Sequence, residues 1–147
     1  MLKGVWGINI AVKDLDEAVE KYEKLLGVKP SISSDPNRAA FAGFTTAQFI
    51  FQNFVINLMT SKETNNPVGK FLEKRGEGVI LMSIQSDDID NDVAKMKADG
   101  LKFLWDENMP GGYGNVNFIP AKNMNGVQWE ILDPISEWIE MKEKGSK

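Results

Sequence analysis

Apolar and polar residues alternate from Val5 to Val12. Trp6, Ile8, Ile10 and Val12 share one register, and Gly7, Asn9 and Ala11 the other. A period of two predicts a strand with one covered face. The period then changes. Leu15, Ala18, Val19, Tyr22, Leu25 and Leu26 recur at helical spacing. Asp14 stands at the N-cap, Glu17 completes a capping box, and Gly27 is placed to end the helix. Strands are expected at about 31–34, 39–45, 48–51 and 55–60. A short helix at 67–74 starts on Pro67, which suits a first turn. A strand at 79–85 follows, then a helix capped by Asp88 and carrying Ile89, Val93 and Met96. Further strands are expected at 101–105, 114–120 and 128–132. A terminal helix at 135–144 would dock through Ile135, Trp138 and Ile139.

This order of elements occurs twice. Ile8–Asp16 matches Met82–Asp90, with Asp14 falling on Asp88 at an offset of 74 residues. Residues 55–59 fall on 128–132, at an offset of 73. The second helix reaches its stop, Gly100, one residue sooner than the first reaches Gly27, which absorbs the difference. Two matches at nearly one offset point to duplication of a module of about 60 residues. The chain divides into a first module (1–63), a linker helix (64–77), a second module (78–133) and a C-terminal helix and tail (134–147).

Alternation assigns the two sheet faces. Ile8, Ile10, Ile56, Leu58, Ile80, Met82, Ile84, Trp129 and Ile131 form a helix-facing core, with Trp6 in the same register. The other face carries Gly7, Asn9, Asn57, Leu81, Ser83, Gln85, Gln128 and Glu130. Such a face is either solvated or, if the two halves close on each other, the lining of a cleft. The repeat favours the cleft, because paired halves bury more surface than either does alone. Trp105 with Phe103 would flank it, and Phe41, Phe49 and Phe51 could form a rim. Tyr113, in the glycine-rich segment 109–114, could lie over it. Lys70, Lys74 and Arg75 give the linker helix three cations.

Composition narrows the chemistry. The 147 residues include no Cys and no His, so thiol and imidazole catalysis are excluded, as are all metal sites built on those residues. Carboxylates, Lys, Tyr, hydroxyls and amides remain. A net charge of −4 argues against nucleic acid and anionic membranes as partners. No long apolar run is present, and the reading is a cytoplasmic protein without a membrane partner.

The strand Ile8–Val12 leads into Asp14, Leu15, Asp16, Glu17 and Ala18. The run from Pro67 through Phe71 and Arg75 to Gly78 follows, then residues 115–120, then Asn125, Gly126, Val127 and Glu130. In order and spacing these resemble the vicinal oxygen chelate superfamily of glyoxalases, bleomycin-resistance proteins and dioxygenases, over residues 5–133. The motifs are nearest to its methylmalonyl-CoA epimerase-like members, which implies that Lys70, Lys74 and Arg75 could meet the phosphates of a CoA-type ligand. The resemblance implies an α+β fold of tandem βαβββ modules, forming a curved sheet around a cleft, in a homodimer. It also implies a divalent metal held by the first and last strands of each half. Those positions fall here on Gly7, Asn57, Leu81 and Glu130, where relatives usually have His at the first and third. The expected cofactor is therefore none, with a weakly held divalent cation as the alternative. Asp35 is the residue nearest to the epimerase-like base. The function implied is metal-free binding of a small molecule by Asn9, Asn57, Ser83, Gln85, Trp105, Tyr113, Gln128 and Glu130. The alternative is a lyase or epimerase of the glyoxalase I or methylmalonyl-CoA epimerase type, using a weak cation or Glu130 as its catalytic base. A non-catalytic regulatory module is a third reading.

Overall fold

A computed structural model describes residues 1–33 and 43–145. Strand β1 (Leu2–Ala11) leads into helix α1 (Leu15–Leu26), followed by β2 (Ile32–Ser33), β3 (Thr45–Ile50) and β4 (Val55–Thr60). Helix α2 (Pro67–Arg75) links to β5 (Gly78–Ser86), α3 (Ile89–Ala98), β6 (Met109–Pro110), β7 (Gly114–Ile119) and β8 (Trp129–Pro134). Helix α4 (Ser136–Lys144) closes the described chain. Each half is therefore β-α-β-β-β. The eight strands form one sheet in the order β2-β3-β4-β1-β5-β8-β7-β6. This order is symmetric about the β1–β5 junction. β1 runs parallel to β4 and β5 parallel to β8, while β1 and β5 pair antiparallel with each other.

Local signals explain the helices. The Asp14 carboxylate accepts from the Glu17 N–H at 3.0 Å, and Gly27 takes φ 72° while its N–H bonds the Glu23 carbonyl. Asn66 caps α2 by accepting from the Gly69 N–H at 2.9 Å, and Asp88 caps α3 through the Asn91 N–H. One side of the sheet packs on α1 and α3. Leu58, Phe49, Val12 and Ala18 bury the α1 contact, and Ile131, Ile89 and Val93 bury the α3 contact. The other side curls around a third cluster: Trp6, Ile50, Val55, Val116, Phe118 and Leu132. Trp138 and Met141 of α4 pack against that cluster, while Ile135 stays 49% exposed.

Two assignments of face are corrected, and for one reason. Trp6 was expected on the helix side but belongs to the inner cluster, and Ile80 lines the inner cavity. In the β1–β5 ladder Val5 pairs with Ile84 and Gly7 with Ser83, so Trp6 has no opposite number. Asn9 likewise pairs with Leu81 and Ile10 with Val79, which skips Ile80. A β-bulge adds one residue and breaks the alternation there. Trp6 and Ile80 are 74 residues apart, so the two bulges are themselves related by the duplication.

Strand boundaries also shift. Residues 45–50 form a single strand, β3, rather than the end of one and the start of another. The proposed residues Asp35 and Phe41 lie outside the described residues. Residues 101–105 do not form a strand: Leu104 makes one backbone bond to Phe118, and the rest of the contact is made by a side chain. The fully buried Asn117 accepts from the Trp105 N–H at 3.4 Å and donates to the Trp105 carbonyl at 3.1 Å. Trp129 is half-buried beside Ile119.

Gly7 is buried where β1 meets β4, and a Cβ built there would collide with the Val55 carbonyl and its backbone carbon. Gly7→Ala is expected to lower stability by about 3 kcal/mol, since the obstruction is backbone that cannot rotate away. Urea denaturation monitored by tryptophan fluorescence measures it.

Candidate functional site

The concave side of the sheet encloses a cavity of about 590 Å³. Its walls are largely apolar. β5 contributes Val79, Ile80 and Leu81, β7 contributes Val116 and Phe118, α2 contributes Val68 and Phe71, and α4 contributes Trp138. Leu104 and Trp105 complete one side, and Trp105 meets Phe118 edge-on with ring centroids 5.3 Å apart. The turn at Asn125 and Gly126 takes positive φ at both residues, 58° and 89°, which an Asn-Gly pair tolerates; it leads into Gln128 on the cavity wall. The exposed Lys70, Lys74 and Arg75 of α2 stand along the same cavity, with Arg75 above the Phe71 ring.

Polar groups gather at the inner end. Glu130 on β8 and Tyr113, just before β7, both line the cavity. The Ser83 hydroxyl donates to Glu130 Oε1 at 2.6 Å, and Asn9 Nδ2 donates to Ser83 Oγ at 3.3 Å. Asn57 Nδ2 donates in turn to Asn9 Oδ1 at 2.8 Å. These four residues follow from strand register, because Asn9 lies opposite Asn57 and Ser83 opposite Glu130 in the two parallel ladders. They are also related in pairs by the duplication. Gln48 on β3 donates through Nε2 to the Tyr113 hydroxyl. Two buried carbonyl oxygens, Gln48 Oε1 and Asn57 Oδ1, have no partner among the described residues. Such groups each cost about 1–3 kcal/mol of stability.

Glu130 is half-buried, and the surface it keeps faces apolar cavity walls. Desolvation pushes its pKa up to about 7, with the Ser83 hydrogen bond pulling only partly back. The Tyr113 phenol is pushed upward by burial and by the Glu130 charge, against the opposing Gln48 bond.

The expected site residues separate into groups. Trp105, Tyr113, Gln128 and Glu130 line the large cavity. Asn9, Asn57 and Ser83 lie beneath Glu130, around a void of about 10 Å³ that also touches Gly7. Gln85 lines neither space; it sits further along β5, opposite Gly4 and Leu132. Phe49 and Phe51 are not a rim, because both pack in the α1 cluster, and Phe103 packs beside α3. Gln48 and Trp138 were absent from the expected set. The strand alternation that places Thr46, Gln48 and Ile50 on one face would have included Gln48, had β3 been read as one strand.

A metal does not fit these residues. Gly7 has no room for a side chain and Leu81 is apolar, so two of the four positions supply no ligand; Asn57 Oδ1 and the Glu130 carboxylate alone are too few donors for a tightly held transition metal. Among the described residues no three His, Cys, Asp or Glu converge.

The sequence profile of the Glyoxalase/Bleomycin resistance protein/Dioxygenase superfamily matches residues 8–119, and the chain belongs to that superfamily. Methylmalonyl-CoA epimerases are among its structural neighbours. A variant of the Streptomyces coelicolor enzyme in complex with 2-nitronate-propionyl-CoA is 26% identical, with a TM-score of 0.79 over 92% of this chain and 97% of that one. The Mycobacterium tuberculosis epimerase is 25% identical, with a TM-score of 0.80 over 95% and 93%. An epimerase in complex with methylmalonyl-CoA and ammonium is 26% identical, with a TM-score of 0.79 over 92% and 97%. Comparison with curated protein sequences gives no match. No helix among the described residues is long and apolar enough to cross a membrane.

The Glu130 carboxyl carries a pH signature. Its folded pKa lies above its ordinary value of 4.5, so the stability it contributes is fully present below about 4.5 and is lost as pH rises through about 7. Glu130→Gln keeps an acceptor for Ser83 and does not ionise. Scanning calorimetry is expected to show it melting several degrees above the parent at pH 8 and together with the parent at pH 4.

Proposed function

We propose that this protein binds an acyl thioester of the CoA type in the cleft between its two modules, and does so without a transition metal. One observation carries the reading: an apolar cavity with Lys70, Lys74 and Arg75 on its α2 side and Glu130 and Tyr113 on its inner wall. A ligand with an anionic tail, a long slender arm and a short acyl group ending the arm at a thioester carbonyl suits that distribution. Structural neighbours crystallised with CoA esters support the ligand class. The crowding at Gly7 and the apolar Leu81, which leave two of the superfamily's four metal positions without a ligand, support the metal-free part.

Propionyl-CoA in excess is expected to raise the melting temperature by several degrees, because a ligand that binds only the native state stabilises it. Replacing Lys70, Lys74 and Arg75 together by Ala should weaken propionyl-CoA about tenfold, given the modest worth of each exposed charge pair. The same change should leave propionyl-pantetheine, which lacks the phosphates, unaffected. Elemental analysis of protein incubated with Co²⁺, Ni²⁺ and Zn²⁺ and then desalted should find no stoichiometric metal. Equal weakening of both esters, or a retained metal, would overturn the reading.

A second reading is favoured by the Glu130 pKa of about 7, which suits a group that takes and returns a proton near neutrality. In it, Glu130 exchanges the proton on the carbon next to the thioester carbonyl. Deuterium incorporation into propionyl-CoA in D₂O, lost in Glu130→Gln, would support it, and no incorporation by the parent would exclude it.

A further inference from the structure

We infer that Tyr113 is the residue that recognises the ligand's carbonyl oxygen, and that helix α4 and Gln48 hold it in position for that purpose. The inference rests on the acyl-thioester reading of the cleft and adds the atom by which the head group is read.

Tyr113 belongs to a stretch with Gly111, Gly112 and Gly114 around it, which by itself would leave the ring free to swing. Three contacts from distant parts of the chain stop that. Gln48, from the first module, donates its amide N–H to the phenol oxygen. Trp138, from α4, meets the ring edge-on with centroids 4.6 Å apart and planes at 77°. The Ile135 N–H, at the start of α4, donates to the Tyr113 carbonyl at 2.8 Å. α4 is itself anchored, with Lys142 Nζ 4.4 Å above the Trp6 ring. Ring, oxygen and backbone of one residue are thus each held by a different contact.

The way Gln48 is used supports a positional role. It spends its donor on Tyr113 and leaves its own Oε1 buried without a partner among the described residues. An amide present only to fill the core would gain nothing by that. Because the phenol oxygen accepts from Gln48, its hydroxyl hydrogen remains to be given elsewhere. Tyr113 is half-buried and lines the cavity beside Glu130, so the ligand can reach it. An apolar cavity ending in a fixed O–H calls for a ligand that brings an acceptor, and in an acyl thioester that acceptor is the carbonyl oxygen. Gly7 and Leu81 supply no ligand at two of the superfamily's metal positions, and the Tyr113 hydroxyl is a donor in place to meet that oxygen.

Propionyl-CoA and S-propyl-CoA, the thioether that lacks only the carbonyl oxygen, test this directly by isothermal titration calorimetry. The parent is expected to bind the thioester about tenfold more tightly, the upper range for one hydrogen bond. Tyr113→Phe should bind the thioester about tenfold more weakly and the thioether as the parent does. Gln48→Met and Trp138→Leu, which act through Tyr113, should narrow the ratio of thioester to thioether affinity, the readout that a change of cavity wall felt equally by both ligands does not move. Trp138→Phe keeps an aromatic edge contact and should preserve the preference, which guards against a variant that merely misfolds. If the parent binds both ligands equally, or Tyr113→Phe weakens both alike, the inference is overturned and the acyl-thioester reading stands. If the parent binds neither, both fall.

Discussion

The antiparallel pairing of β1 with β5 is the contact on which the rest depends. It joins the two modules into one sheet and places the pseudo-twofold axis between them. Each of these strands also holds a parallel partner on its far side, so any displacement of the pair would carry β4 and β8 with it. The bulges at Trp6 and Ile80 belong to this same ladder. They increase local twist and turn one residue of each strand inward. Trp6 thereby seeds the inner cluster on which α4 docks, and Ile80 lines the cavity. The curvature that makes a cleft and the side chains that fill its closed end arise from one irregular pairing.

The polar floor is a second outcome of that pairing. Asn57, Asn9, Ser83 and Glu130 form a chain of hydrogen bonds that crosses all four central strands. A chain of this kind under an apolar cavity is specific, because each member fixes the next and none can turn alone. It ends on the one group that can change charge. Glu130 is therefore presented to the cavity on a rigid support, and its raised pKa follows from what surrounds it rather than from a charged neighbour.

Much of this was legible in the residues. Asp14, Asp88 and Gly27 mark helix ends because capping chemistry is local. The repeat was legible because duplicated strands keep their apolar period, and the polar register of Asn57, Ser83 and Glu130 followed from alternation. Alternation failed where the backbone departed from it. The bulges hid the direction of Trp6 and Ile80, since a single added residue leaves no compositional mark. The segment around Trp105 read as a strand because its residues suit one, yet the Asn117 amide takes over much of the ladder's work. Gln48 carries no signal of its own, because the residues on either side of it pattern as two short strands while the backbone runs as one. Trp138 was seen as an anchor and not as a wall, because a helix outside the repeat gives no register by which to aim it.

The tight approach of β1 and β4 at Gly7 bears on how this chain could change over time. A histidine arriving there by one substitution would meet the Val55 backbone before it reached the cleft. Any side chain there would need the two strands to part first, and β1 is itself one half of the junction that holds the modules together. A variant with the strands forced apart would lose stability before any new contact in the cleft could compensate. Change in the cleft is in this sense steered away from position 7 and toward the side chains that already line it.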